Sequence, residues 1–123
     1  MIKKFILFHL PPLIAMISIF LVSNIPAPSL PSSLIGKDKI LHFGVYFVLG
    51  FLTNRSMQQI EKLKSKSYLF TFFIVSIFGA LDEVHQSFVP FRSPEFADWL
   101  ADSFGVLTFI FLINYIKKRF PKI

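Results

Sequence analysis

Asp82, Glu83, His85, Gln86, Arg92, Glu95, Asp98 and Asp102 all lie in one stretch, LDEVHQSFVPFRSPEFADWLADSFG, residues 81 to 105. On both sides the chain is nearly all Phe, Leu, Ile and Val. So dense a group suits three kinds of chemistry. Asp82, Glu83, Asp98 and Asp102, with His42 and His85, offer oxygen and nitrogen donors for a divalent cation such as Mg²⁺, Mn²⁺ or Zn²⁺. His85, oriented by an acid, has the parts of a general base, which makes His42, His85, Asp82 and Asp102 the candidates for catalysis. Lys39 and Arg92 suit a phosphate or carboxylate, leaving the acids and Gln86 to bond sugar hydroxyls. HExxH, GxSxG and the phosphate-binding glycine loop do not occur, so no single motif selects a reaction.

Composition sets where such chemistry would happen. The 123 residues suffice for one domain, 1–123, and 54% of them are apolar, including 17 Phe. A soluble domain this small has too much surface to hide that much apolar side chain, so the chain belongs in a bilayer. The absence of cysteine excludes disulfides, zinc–thiolate sites and a thiol nucleophile. A net charge of +6 raises the possibility of nucleic acid, but the basic residues flank apolar segments instead of forming a stripe, which excludes that partner in favour of lipid.

Four apolar segments have to position the polar residues: FILFHLPPLIAMISIFLVS (5–23), ILHFGVYFVLGFLTN (40–54), YLFTFFIVSIFGAL (68–81) and FGVLTFIFLINYI (104–116). A spanning helix needs about 20 residues, so the last three must borrow turns from polar neighbours. The expected fold is all-α: an integral membrane bundle of four transmembrane helices near 5–23, 37–55, 66–87 and 97–117. The first segment begins like a signal peptide, but it is long and lacks a clean cleavage site, so it reads as a retained helix kinked at Pro11–Pro12. His9 should sit near the inner headgroups.

Loop charges orient the bundle. Lys3, Lys4, Arg55, Lys62, Lys64, Lys66, Lys117, Lys118, Arg119 and Lys122 fall on one side, and only Lys37, Lys39 and Arg92 on the other. The positive-inside rule puts both termini and the 55–66 loop in the cytoplasm. Of the acids, only Glu61 is then inside; Asp38, Asp82, Glu83, Glu95, Asp98 and Asp102 are on the outer side. Orientation does not require those acids. Pro26, Pro28 and Pro31 make the first outer connection extended, and Pro90 and Pro94 make 88–96 a tight turn that tips Arg92 toward the pocket on that side.

Counting outward from the basic ends at about 1.5 Å per residue brings Asp38, Lys39 and His42, then Asp82 to Gln86, then Asp98 and Asp102 to similar depths. At about 100° per residue, Asp38, Lys39, His42 and Tyr46 share an arc of roughly 100°. Asp82, His85 and Gln86 share a face, with Glu83 at its side, and Asp98, Asp102 and Gly105 share another. An ionisable group at this depth costs roughly 3 kcal/mol or more unless paired or wet, so one shared outward-facing recess is favoured over scattered acids. Asp102, a full turn inside, should meet His42, Arg92 or Lys39.

Two blocks, DKILHFGVYFVLG (38–50) and the opening stretch, resemble the VanZ-like family of small bacterial membrane proteins. Asp38, Lys39, His42, Phe43, Tyr46 and Gly50 carry the first block. Asp82, Glu83, His85, Gln86, Pro90, Arg92, Ser93, Asp98, Ala101, Asp102 and Gly105 carry the second. Phe91 stands where the family often has Gly. The resemblance covers residues 38 to about 110 and implies a cell-envelope role, since the family's named member is associated with tolerance to the glycopeptide teicoplanin. Three functions remain open: a pocket for an envelope lipid or lipid-linked precursor, a hydrolase or transferase acting on such a lipid, and a scaffold with a self-satisfied polar network. Each polar residue also has a plainer role to play. Asp38 and Lys39 suit an interfacial helix start, His42 and Tyr46 an interhelical pair, Asp98 an N-cap, Arg92 simple neutralisation and Trp99 an interface anchor.

Overall fold

The computed structural model describes residues 1–26 and 38–122. Among them the fold is all-helical, built on four long helices: α1 (Ile2–Ser23), α2 (Asp38–Met57), α3 (Ser67–Gln86) and α4 (Phe96–Arg119). A single 3₁₀ turn, Lys64–Lys66, leads into α3. The expected extended connection through Pro28 and Pro31 lies outside the described residues.

Helices α1, α4 and α3 with its leading turn are long and apolar enough to cross a membrane. Helix α2 is equally long but its hydropathy is diluted by Asp38, Lys39, His42, Thr53, Asn54, Arg55 and Ser56. Its polar residues near the C-terminus, Thr53, Asn54 and Ser56, are buried against its neighbours. A helix that turns polar side chains inward reads as less hydrophobic than one that borders lipid on all sides.

The tightest pairing in the molecule is α2 with α4, and glycine makes it possible. A Cβ on Gly105 would run into the backbone carbonyl oxygen of Phe43, a group that cannot swing aside. One turn further in, a Cβ on Gly50 would meet Val106 Cγ2 at 2.9 Å. Between these contacts lies a small core of Tyr46, Leu49, Val75 and Val106. Small residues on facing helices allow the close approach that packing in lipid requires.

Helix α1 packs differently. Only 6% of its most apolar stretch is buried. Its hydrogen bonds to the rest of the bundle are at its ends, and in between Ala15, Met16 and Ile19 pack against the core. Near its basic N-terminal end, Lys4 Nζ donates to the Gln59 carbonyl at 3.0 Å and His9 Nδ1 meets Ser56 Oγ at 2.7 Å. His9 is therefore an interhelical partner. Pro11 and Pro12 have no N–H to offer the carbonyls a turn earlier. The irregularity expected at the prolines lies just ahead of them, where Phe5–His9 widens into a π turn.

The turn between α3 and α4 holds the one non-glycine residue with positive φ among the described residues, Phe91 at 61°. A bulky residue in that left-handed conformation costs about 1–2 kcal/mol, a strain that glycine would not bear.

The Gly105 contact gives a direct test. Gly105→Ala should lower stability by about 1–3 kcal/mol, the usual range for overpacking against an unyielding neighbour. The thermal midpoint of the detergent-solubilised protein would measure it, with Gly44→Ala as control, because nothing lies within 4 Å of a Cβ built there.

Candidate functional site

The polar residues of α2, α3 and α4 meet at the end of the bundle away from the basic loops. His42 projects from the second turn of α2 and its Nδ1 is 2.6 Å from Asp102 Oδ1. Asp102 has no solvent exposure. Of the three cationic or polar partners expected for it, His42 is the one it takes. The approach of α4 to α2 at Gly105, three residues along from Asp102, is what brings these side chains within reach. Gly79 on α3 closes the space behind them: a Cβ there would come to 2.9 Å from Asp102 Oδ2 and 3.2 Å from the Tyr46 ring. Tyr46 stacks near His42, with ring centroids 6.3 Å apart, and its buried hydroxyl finds no partner.

Glu83 and Asp98 complete this group. One donor atom from each of His42, Glu83 and Asp98 lies within 4.8 Å of the other two. Lys39 reaches across from α2, at 3.0 Å from Glu95 Oε2 and 3.6 Å from Asp98 Oδ1. Asp98 belongs to the first turn of α4 and is not its N-cap; Glu95 takes that position, with no capping bond from its side chain.

Asp82 and Gln86 look the other way, toward α1. Ser23 Oγ donates to Asp82 Oδ2 at 2.8 Å, and Gln86 Nε2 lies 3.3 Å from both Asp82 Oδ2 and Ser23 Oγ. His85 shares this face and stacks on Phe20 at 4.1 Å between centroids. It is therefore held apart from His42. Arg92 also turns to α1: Nε donates to the Ile25 carbonyl at 2.9 Å and an Nη to the Val22 carbonyl at 3.3 Å. It forms no ion pair with an acid among the described residues; it joins carbonyls at the C-terminal end of α1, of which Val22's already accepts the Ile25 N–H at 3.1 Å. Trp99 is no plain interface anchor either, since its Nε1 donates to the Ser76 carbonyl of α3 at 2.9 Å.

Beside the group runs a cleft of about 1120 Å³ between α1 and α2. Ile19, Val22, Val45 and Val48 give it apolar walls, and Asp38, His42, Asp82, Gln86, Arg92 and Asp98 gather at one end. Ser23 and Gly44 also line it, and neither was singled out from the sequence. Ser23 had a legible signal: as the last residue of α1, it lies at the same depth as Asp82.

Three apolar helices around a buried set of acids, histidine and tyrosine define a small helical membrane protein. The chain belongs to the VanZ/LLP1 family, whose model matches residues 4–117. That match takes in α1, which the two sequence blocks did not cover. No curated protein and no solved structure matches the chain.

The buried pair can be tested alone. Asp102→Ala should cost about 3–5 kcal/mol, since removing one member of a buried pair leaves the other without compensation. A loss below about 1 kcal/mol, read from the same thermal midpoint, would mean that the pair does not hold the helices.

Proposed function

We propose that this protein spans the membrane four times with both termini in the cytoplasm, and that it holds an envelope lipid or lipid-linked precursor in the cleft at the extracytoplasmic face. The observation that carries the reading is the cleft's two-part lining. Its volume of about 1120 Å³ leaves room for part of an acyl chain as well as a headgroup. Apolar walls suit the chain, and hydrogen-bonding groups at one end suit sugar or phosphate oxygens. The loop charges support the orientation, with the basic 55–66 and C-terminal segments at the opposite end from the acids. An outer-leaflet ligand would agree with the family's association with glycopeptide tolerance, because that drug class acts outside the membrane.

A membrane-embedded hydrolase or transferase acting on such a lipid is the second reading. The 2.6 Å bond from Asp102 favours it, since an acid that fixes one imidazole nitrogen leaves the other for proton transfer. The scaffold reading gains less support. A self-satisfied network would pair its members, yet Tyr46 Oη and both Glu83 oxygens are buried without hydrogen-bond partners.

Two measurements test the proposal. An added side chain at Gly44 enters open space along the cleft, so Gly44→Leu should keep the protein folded while blocking the ligand. Native mass spectrometry should find a specific co-purifying lipid on the wild type and not on Gly44→Leu; equal occupancy of both would exclude the cleft. Because the chain has no cysteine, single thiols report sidedness. Ser93→Cys should react with an impermeant maleimide in intact cells, and Ser65→Cys only after permeabilisation; the reverse pattern would invert the topology.

A further inference from the structure

We infer that His42, Glu83 and Asp98 form a binding site for one divalent transition-metal ion of the Mn²⁺ or Zn²⁺ class, with Asp102 as the residue that positions His42. Four observations lead there. The donor atoms of the three residues lie within 4.8 Å of one another, on three different helices. Metal–ligand bonds of about 2.0–2.2 Å need these donors only to draw together modestly around an ion.

Glu83 supplies the second observation. It is 8% exposed and neither carboxylate oxygen has a hydrogen-bond partner among the described residues. The Glu95 amide is near, but falls short of hydrogen-bond geometry. Asp98, 7% exposed, likewise has an unpartnered oxygen, with Lys39 at 3.6 Å as its only close cation among the described residues. Buried acceptors left open in this way are strongly unfavourable unless something positive completes them.

Charge balance is the third. Glu83, Asp98, Asp102 and the rim residue Glu95 converge from α3, α4 and the turn before it. Against them stand Lys39 and His42 from α2, Lys39 being already shared between Glu95 and Asp98. Arg92 is committed to the carbonyls of Val22 and Ile25. One divalent ion would offset most of the surplus where ionised groups are costly.

The fourth is the Asp102–His42 bond. A carboxylate on one imidazole nitrogen is the usual support of a metal-bound histidine: it fixes the ring and its tautomer and makes the other nitrogen a better ligand. With Nδ1 taken by Asp102, Nε2 is left for the ion. One nitrogen with two carboxylates suits Mn²⁺ or Zn²⁺. It is too few oxygens for Ca²⁺, which takes about six to eight. His42 and Asp98 also line the cleft, so the ion's remaining positions open into it and suit an anionic oxygen, the charge that Arg92 is not free to meet. The metal site stands on its own geometry and survives if the lipid reading fails.

The test uses the full-length protein in detergent, stripped with EDTA and titrated with Mn²⁺ followed by electron paramagnetic resonance. One Mn²⁺ should bind per chain, Zn²⁺ should displace it, and nitrogen coupling in the pulsed spectrum should vanish in His42→Gln. Glu83→Gln and Asp98→Asn should abolish binding, and Asp102→Asn should weaken it about 10–100-fold while retaining the nitrogen coupling. Glu95→Gln, at the rim, should change it by less than a factor of about 3, the size of effect expected where charges are exposed and screened. Metal-free Glu83→Gln should be at least as stable as metal-free wild type, because it removes an uncompensated charge; if it fails to fold, Asp98→Asn carries the test. Absence of Mn²⁺ binding at millimolar concentration, or binding unchanged in both carboxylate variants, would overturn the site. These readouts use metal alone, so they are independent of the lipid assay with Gly44→Leu.

Discussion

The contact of Gly105 with the Phe43 carbonyl governs the interior. It lets the backbones of α2 and α4 touch, and only that approach allows His42 to reach Asp102 at 2.6 Å. A bulkier residue at 105 would part the helices by more than the tolerance of a hydrogen bond. The imidazole would then lose its partner, and Asp102 would be left as a lone buried acid. The polar centre is thus held by sterics: a missing side chain at one position permits the strongest interaction a turn away. Gly79 repeats the device from α3, leaving just enough room behind Asp102 and Tyr46.

The remaining helices arrange themselves around this pair in two directions. One face of α3 carries Asp82, His85 and Gln86 to Ser23 and Phe20 of α1. The flank of the same helix carries Glu83 to His42 and Asp98. Helix α3 therefore separates two polar groups, one in which Asp82 Oδ2 takes hydroxyl and amide donors and one short of positive charge. The division explains how so many acids share one end of a small protein without equal repulsion among all of them.

Much of this was readable in the chain. Helix positions followed from apolar runs and their basic ends, and depth counting put Asp102 level with His42. Face arithmetic grouped Asp82, His85 and Gln86 correctly, but periodicity fixes only which residues share a face, not which neighbour that face meets. That is why His85, expected beside His42, stacks on Phe20, and why Glu83, placed at the side of its helix, faces His42. Arg92 was open to misreading for a related reason. A guanidinium beside acids invites an ion pair, while the carbonyls at the end of α1 belong to backbone and leave no mark in the residue pattern. The strained φ of Phe91 was foreshadowed by the family's frequent glycine there, but its geometry had to be seen.

Helix α1 is fastened by hydrogen bonds at its two extremities, by Lys4 and His9 at one and by Ser23 and the Arg92 guanidinium at the other, while between them Ala15, Met16 and Ile19 pack against the core. A rod clamped in that fashion bends more readily than it detaches. Bowing outward at mid-length would part only loose van der Waals contacts and leave every clamp closed. Such bowing would widen the cleft at Ala15 and Ile19, which line it, while Ser23 and Arg92 keep its polar end in shape.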